Sequence, residues 1–147
     1  MFHTTPRLLW AFGILLALLT LLPPAAVGLA EPLPAPPQLQ AAPLDVVVSE
    51  IAWMGTTASS SAEWLELYNN TADPVNLSGW TLRATDGTPN IDLSGVIPAH
   101  GYYLLERDDD NTLSDITADK IFSGALSTYG ERLVLMNAAN EIMEKAN

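Results

Sequence analysis

The chain has 147 residues, with 17 acidic against 6 basic side chains, a formal net charge of −11 and no cysteine. This excess of negative charge repels the phosphates of nucleic acids and of anionic lipids, so we expect neither a nucleic-acid partner nor binding to a membrane surface. Without cysteine, disulfides, zinc sites built from thiolates and thiol catalysis are excluded.

The first thirty residues have the features of a signal peptide. One basic residue precedes an almost wholly apolar run at 8–22, and the small residues Gly28 and Ala30 precede Glu31 at the spacing of a signal-peptidase site. A membrane-spanning helix needs about 20 apolar residues, and this run is shorter. We therefore predict a cleaved signal peptide over residues 1–30, with an uncleaved N-terminal membrane anchor as the alternative. Either one exports the rest of the chain.

Residues 31–44 form the next segment, which is rich in proline. Five of the eleven prolines lie between Glu31 and Pro43, and this favours an extended, semi-rigid linker without a core of its own. We place the folded domain at residues 45–147, because about 100 residues is the usual length of an immunoglobulin-like sandwich.

The domain has the pattern of strands and not of helices. Leu65 and Leu67 alternate with Trp64, Glu66 and Tyr68, which predicts a strand with one apolar face. Turn residues separate this run from others of the same kind. We predict strands at about 46–53, 63–69, 80–85, 90–93, 101–106 and 132–136. Together they indicate an all-β, immunoglobulin-like antiparallel β-sandwich.

The C-terminal residues predict an incomplete last hairpin. The apolar strand is followed by a turn at 138–140, and Glu141–Met143 begins a partner strand. The sequence stops at Asn147, so we expect this partner to be shorter than the usual length of about five to six residues. We therefore predict that the sandwich lacks its last strand, is marginally stable and tends to associate through its edges.

Several short motifs occur together in the order and spacing of a known family. They are Ser49-Glu50-Ile51, Glu63 to Asn69 (EWLELYN), Leu77 to Leu82 (LSGWTL), Ile97-Pro98, Gly101 to Glu106 (GYYLLE) and Gly130 to Leu135 (GERLVL). Through these motifs residues 46–144 resemble the lamin-tail domain in its bacterial secreted form. The resemblance implies a small all-β module that is often joined to other domains. It implies no catalytic residues, because the family has no shared active site.

Three glutamates are the first candidates for chemistry. Glu50, Glu63 and Glu66 lie on or beside two strands that we expect to be neighbours. Paired carboxylates can divide acid and base roles when their environments separate their pKa values. Glutamates at the end of a sandwich more often accept backbone N–H groups or face solvent, so we favour a structural role for these three.

Two further features are of low specificity. His100 lies in a turn, and no motif places a nucleophile and an orienting acid beside it. Asn69 and Asn76 match the acceptor tripeptide for N-linked glycosylation, which is frequent by chance. In a bacterial host we expect both asparagines to be unmodified.

Three tryptophans could form a binding surface. Trp53, Trp64 and Trp80 lie in apolar strand segments. They can be core residues, because aromatic side chains supply much of the burial in a sandwich without disulfides. They can also form an exposed surface on which a sugar or a peptide stacks. We favour the core and keep the three as a candidate binding surface.

A cluster of aspartates suggests calcium. Asp108, Asp110, Asp115 and Asp119 lie in one polar loop and offer the oxygen ligands that calcium prefers. The spacing fails as an EF-hand loop starting at Asp108, because position six is Leu113 instead of glycine. We expect a solvated loop without a metal and keep the four aspartates as weak calcium candidates.

These observations predict an exported, non-catalytic binding or structural module that uses no cofactor. We expect its partner to be a protein or another component of the cell envelope, and contact with a membrane only through an uncleaved leader. Two alternatives stay open. The first is an accessory domain of a larger secreted hydrolase or nuclease, and the second is a calcium-dependent adhesion domain.

Overall fold

The computed structural model describes residues 40–147, which form ten β-strands and no helix, so this part of the chain offers no helix able to span a membrane. The predicted signal peptide at 1–30 and most of the predicted linker lie outside the described residues. The strands are β1 (Val46–Ala52), β2 (Trp64–Asn69), β3 (Val75–Asn76), β4 (Thr81–Ala84), β5 (Asn90–Asp92), β6 (Val96–Ile97), β7 (Tyr102–Arg107), β8 (Lys120–Phe122), β9 (Leu133–Met136) and β10 (Ile142–Ala146).

The strands form two sheets of four and one small pair. The first sheet has the order β1-β2-β7-β8, and the second has the order β10-β9-β4-β5. The strands β3 and β6 pair with each other. The prediction of an all-β fold with antiparallel sheets is confirmed, and it is consistent with an immunoglobulin-like sandwich.

One pairing differs from the predicted antiparallel arrangement, because β8 runs parallel to β7. Parallel neighbours require a connection that crosses from one end of the sheet to the other. The loop at 108–119 makes this crossing. The sequence pattern did not predict β8, which has only three residues and so shows little alternation.

The core lies between the inner faces of the two sheets. In β2 the side chains of Leu65 and Leu67 are fully buried while the alternate residues are partly exposed, as the alternation predicted. Leu133 and Leu135 of β9 are buried in the same way from the second sheet. Because no disulfide is present, these apolar contacts supply the main stabilisation of the fold.

The last hairpin is longer than the sequence suggested. We expected the partner of β9 to be short, but β10 has five residues and pairs with β9 through Ala146. It contributes Met143 to the core. Whether a further strand follows it stays a prediction. At the other end, Ala41 packs against the core and Leu44 N–H donates to Met143 C=O, so residues assigned to the linker contact the domain.

Candidate functional site

A groove runs between β1 and β10, the edge strands of the two sheets. Its volume is about 540 Å³. The apolar part of its wall comes from Val48, Ile51 and Trp53, and the polar part includes Glu50 and Glu144. Because both walls are edge strands, the groove lies where each sheet leaves backbone groups without a strand partner.

Trp53 stands at the rim of this groove, directly after β1, and is 36% exposed. The chain turns sharply behind it at Gly55, whose φ is +69°. A Cβ atom at this glycine would lie 2.4 Å from the carbonyl oxygen of Ser59. Only glycine fits such a turn without strain, so Gly55 allows the chain to turn directly after β1 and Trp53.

The edge of β1 is interrupted by a bulge. Between Val48 and Glu50 the register with β2 shifts by one residue, which leaves Ser49 as the extra residue. The backbone N–H of Val48 donates to the carboxylate of Glu144 on β10. This contact occupies one edge donor and ties the two sheets together, while the part of β1 after the bulge continues along the groove.

Two glutamates lie opposite each other beside the groove. Glu50 on β1 pairs in register with Glu66 on β2. Residues opposite each other in an antiparallel pair project from the same face, and like charges in this arrangement are destabilising. Ser49 Oγ donates to Glu66 Oε1 at 2.8 Å. Among the described residues, neither carboxylate has a basic partner.

Aromatic side chains continue along the same outer face of the first sheet. Tyr68 and Tyr102 are opposite in register, and their ring centroids are 4.9 Å apart. Trp64 is partly exposed on this face. Trp80 lies elsewhere, because it is only 5% exposed and belongs to the core. The structure therefore separates the three tryptophans: Trp53 lies at the groove, Trp64 on the outer face and Trp80 inside.

Glu63 and Glu106 have different environments from the glutamates at the groove. Glu63 is buried, accepts the backbone N–H of Leu126 at 2.8 Å, and approaches Arg107 Nη1 to 3.3 Å. Of the three glutamates singled out in the sequence, it is the one that supports a loop in the predicted structural way.

Glu106 has a structural role that was not predicted from the sequence. It is fully buried although it projects from the outer face of β7, because the loop at 108–119 folds over it. Its two oxygens accept the backbone N–H groups of Thr112 and Leu113, both at 2.9 Å. Glu131 acts similarly, with Ser127 N–H as its donor at 2.9 Å. Only their positions in the sequence could have indicated this role, because Glu106 and Glu131 each lie next to a loop whose backbone N–H groups require acceptors.

The acidic loop uses its carboxylates for its own structure. Asp110 accepts Ala118 N–H and Asp119 accepts Leu104 N–H, each at 2.8 Å. Asp108 lies 3.2 Å from Arg107 Nε, and Asp115 is exposed. Within residues 40–147, no group of three or more histidine, cysteine, aspartate or glutamate side chains is arranged to hold a metal ion. The loop carboxylates of Asp110 and Asp119 are thus used in hydrogen bonds within the fold, and the absence of calcium binding stays a prediction.

Asn69 has a structural role that its tripeptide did not reveal. It is fully buried, its Nδ2 donates to Asp73 and Pro98 carbonyls, and its Oδ1 accepts Thr71 N–H. A buried amide with its hydrogen bonds filled cannot accept a glycan in the folded protein. Asn76 is exposed.

His100 is an exposed turn residue with a φ of +51°. Its backbone N–H donates to the Thr71 carbonyl at 3.0 Å. Within residues 40–147, no hydrogen bond or salt bridge of its side chain is found, and its place is in the turn before β7.

Tyr103 is the ionisable core residue with a perturbed pKa. Its hydroxyl donates to the Ser94 carbonyl at 2.8 Å. Burial, followed by the negative charge of Asp119, raises the pKa of Tyr103 above the usual tyrosine value. The ring is therefore held in its neutral form inside the fold.

Comparison with protein families gives a match over residues 40–146 to the family described as Lamin Tail Domain. The match covers all ten strands and both walls of the groove, apart from Asn147. It confirms the family resemblance found in the sequence motifs. No curated protein matches the sequence.

Proposed function

The chain belongs to the lamin tail domain family, and on that basis we propose that it is an exported, non-catalytic binding module whose partner is a protein in the cell envelope or outside the cell. The family is a non-catalytic immunoglobulin-like fold. The proposed module would hold its partner in the groove between β1 and β10.

Binding is supported over catalysis by a contrast: the buried carboxylates are already hydrogen-bonded within the fold, whereas polar and aromatic side chains at the groove are exposed. The buried carboxylates of Glu63 and Glu106 already accept backbone N–H groups, so they are not free to transfer protons with a substrate. At the groove, Glu50 and Trp53 are exposed. A concave site with an aromatic rim and a few polar groups is the usual form of a recognition site.

Site-specific photo-crosslinking tests this function. Benzoylphenylalanine replaces Trp53, and the variant is irradiated with the envelope and secreted fractions of the organism that encodes the protein. We expect one dominant covalent adduct. The matched control carries the same group in place of Asp92, which is exposed on β5 in the second sheet. Adducts of equal yield and identity at both positions, or none at Trp53, would contradict a binding groove.

Export is tested separately. The apolar run and the small residues before Glu31 support cleavage after Ala30. N-terminal sequencing of the exported protein should begin at Glu31. Recovery of chains that begin at Met1 from a membrane fraction would instead establish the N-terminal anchor.

A further inference from the structure

The charge around the groove indicates which partner it fits. Glu50, Glu131 and Glu144 line the groove, and Glu66 adjoins it through Ser49. Glu131 and Glu144 also accept backbone N–H groups, from Ser127 and Val48, so Glu50 and Glu66 are the open carboxylates of the site. Two basic residues adjoin it in the described part of the chain: Arg132, whose Nε donates to Asn147 Oδ1 at 3.3 Å, and the exposed Lys145, which lies between Glu144 and Ala146 on β10. Carboxylates therefore outnumber basic groups at this site, and a cationic partner is electrostatically complementary.

Glu50 and Glu66 indicate a basic partner more specifically than the net charge of the groove does. The two residues are in register on neighbouring strands, where like charges repel. Among the described residues, Glu50 makes no side-chain hydrogen bond or salt bridge, and Glu66 uses one oxygen for Ser49. A lysine or arginine side chain placed between them would remove the repulsion and gain charge-assisted hydrogen bonds.

Trp53 adds a second contact that favours the same chemistry. A cation over an indole face is attracted by the electron density of the ring, and tryptophan is the best of the aromatic side chains for this contact. Trp53 and Glu50 both line the groove and are three positions apart along the chain. An extended segment in the groove can therefore present one basic side chain to Glu50 and Glu66 and another to the indole of Trp53.

The edge position of β1 favours an extended polypeptide over a small cation. An edge strand presents a row of unpaired backbone groups, which an extended segment can pair with by adding a strand. Glu144 occupies the Val48 N–H, but β1 continues past the bulge through Glu50 to Ala52. The side chains of an added strand would project alternately into the groove and away from it.

Resting on the proposed function, we propose that the groove binds an extended segment of a partner protein that carries lysine or arginine at alternate positions. The backbone of the segment pairs with the second half of β1. Its basic side chains contact Glu50, Glu66 and Trp53. The positive charge sets the specificity, and strand pairing sets the orientation.

The test measures the affinity of the purified protein for synthetic peptides by calorimetry. The probe alternates lysine with threonine over the seven-residue length of β1, and the matched peptide has glutamine in place of lysine. We expect the lysine peptide to bind at least about tenfold more tightly. Its affinity should fall as NaCl rises from about 0.05 M to about 0.3 M, because exposed charges are screened.

Variants locate the site. Glu50→Gln and Trp53→Ala should each weaken binding of the lysine peptide by about fivefold or more. The matched controls, Asp92→Asn on β5 and Tyr102→Ala on the outer face, should leave the affinity within about twofold of the parent. Equal losses in the controls would overturn the assignment to this groove.

Two outcomes would show that the proposed chemistry of the partner is wrong without deciding whether the groove is a binding site. If the glutamine peptide binds as tightly as the lysine peptide, the charge-based proposal is wrong, while the crosslinking result decides whether the groove binds a partner at all. If spermidine displaces the lysine peptide at an equal concentration, the site recognises free cations and the extended segment is not its ligand.

Discussion

Glu50 and Glu66 lie on the first sheet beside the groove, whereas Glu63 and Glu106 lie at the end of that sheet where the loops cross. The second pair is buried and accepts backbone N–H groups from Leu126, Thr112 and Leu113. The first pair faces outward in register, with at most a serine hydroxyl as donor. Glutamate therefore holds loops in one region and leaves a negative charge available to a partner in the other. The two roles differ in how far the side chain is buried and in how many backbone N–H groups it accepts.

The largest loss of stability should follow when a new carboxylate is placed in the apolar core. Leu67 is fully buried in β2. Leu67→Asp should lower the free energy of unfolding by several kcal/mol, because an unpaired charge enters an apolar interior. Domains are stable by only about 5–15 kcal/mol, so thermal melting should find the variant largely unfolded.

The exposed residue Val96 provides the control, and Val96→Asp should melt close to the parent. If Leu67→Asp also melts within a degree or two of the parent, the assignment of the faces of β2 is wrong.

The next effect tests the loop-holding role directly. Glu106→Gln leaves one of the two N–H groups of Thr112 and Leu113 facing an amide NH2. We expect a loss of about 1.5–3 kcal/mol in urea unfolding, the usual range for a hydrogen bond to a charged group. Glu50→Gln, the same chemical change at the groove, should change stability by less than about 0.5 kcal/mol. Equal losses at the two sites would remove the distinction between the two regions.

A smaller effect should appear at alkaline pH. The raised pKa of Tyr103 means that the folded state favours the neutral phenol. The stabilisation is fully present below the unfolded-state pKa of about 10 and is lost as the pH rises through the folded-state pKa. Tyr103→Phe should be less stable than the parent at pH 7 by about 1 kcal/mol, since the hydrogen bond to Ser94 is lost.

That deficit should shrink above about pH 10, because phenylalanine does not ionise. Urea unfolding of both proteins across the alkaline range measures the difference. A difference that stays constant up to the highest pH tested would show that burial does not hold Tyr103 neutral.

The smallest effect concerns calcium and the acidic loop. Because Asp110 and Asp119 already accept backbone N–H groups, millimolar calcium should leave the melting temperature of the protein nearly unchanged. Tight binding to the native state alone would raise it by mass action. A rise of many degrees that disappears in the double variant Asp108→Ala, Asp110→Ala would restore the adhesion-domain alternative.

Most of the longer strands and the three-residue β5 were predictable from the sequence, whereas β3, β6 and β8 were not. In β2 the alternation around Leu65 and Leu67 reports directly which side faces the core. The strands β3, β6 and β8 have two or three residues each, too few for a period of two to show. Their places are determined by tertiary contacts such as the crossing loop at 108–119.

The candidate site was predictable only in part. Trp53 and Glu50 were singled out, but their meeting with Glu144 depends on β10 packing beside β1, a contact between residues far apart in the chain. Glu106 was overlooked because its burial depends on the loop at 108–119, which folds over the outer face of β7. Alternation reports which face a side chain projects from, and it carries no information about a loop that later covers that face.

Backbone chemical-shift mapping by NMR tests the central claim most directly, namely that the open glutamates serve a partner while the buried ones hold loops. The lysine–threonine peptide is titrated into the labelled protein. The amide shifts should change at the residues that line the groove, among them Glu50, Ile51, Trp53, Glu144 and Ala146. The amides of Thr112, Leu113 and Leu126, which are held by the buried glutamates, should stay unchanged. Changes confined to those three amides, or spread evenly over both sheets, would contradict the account.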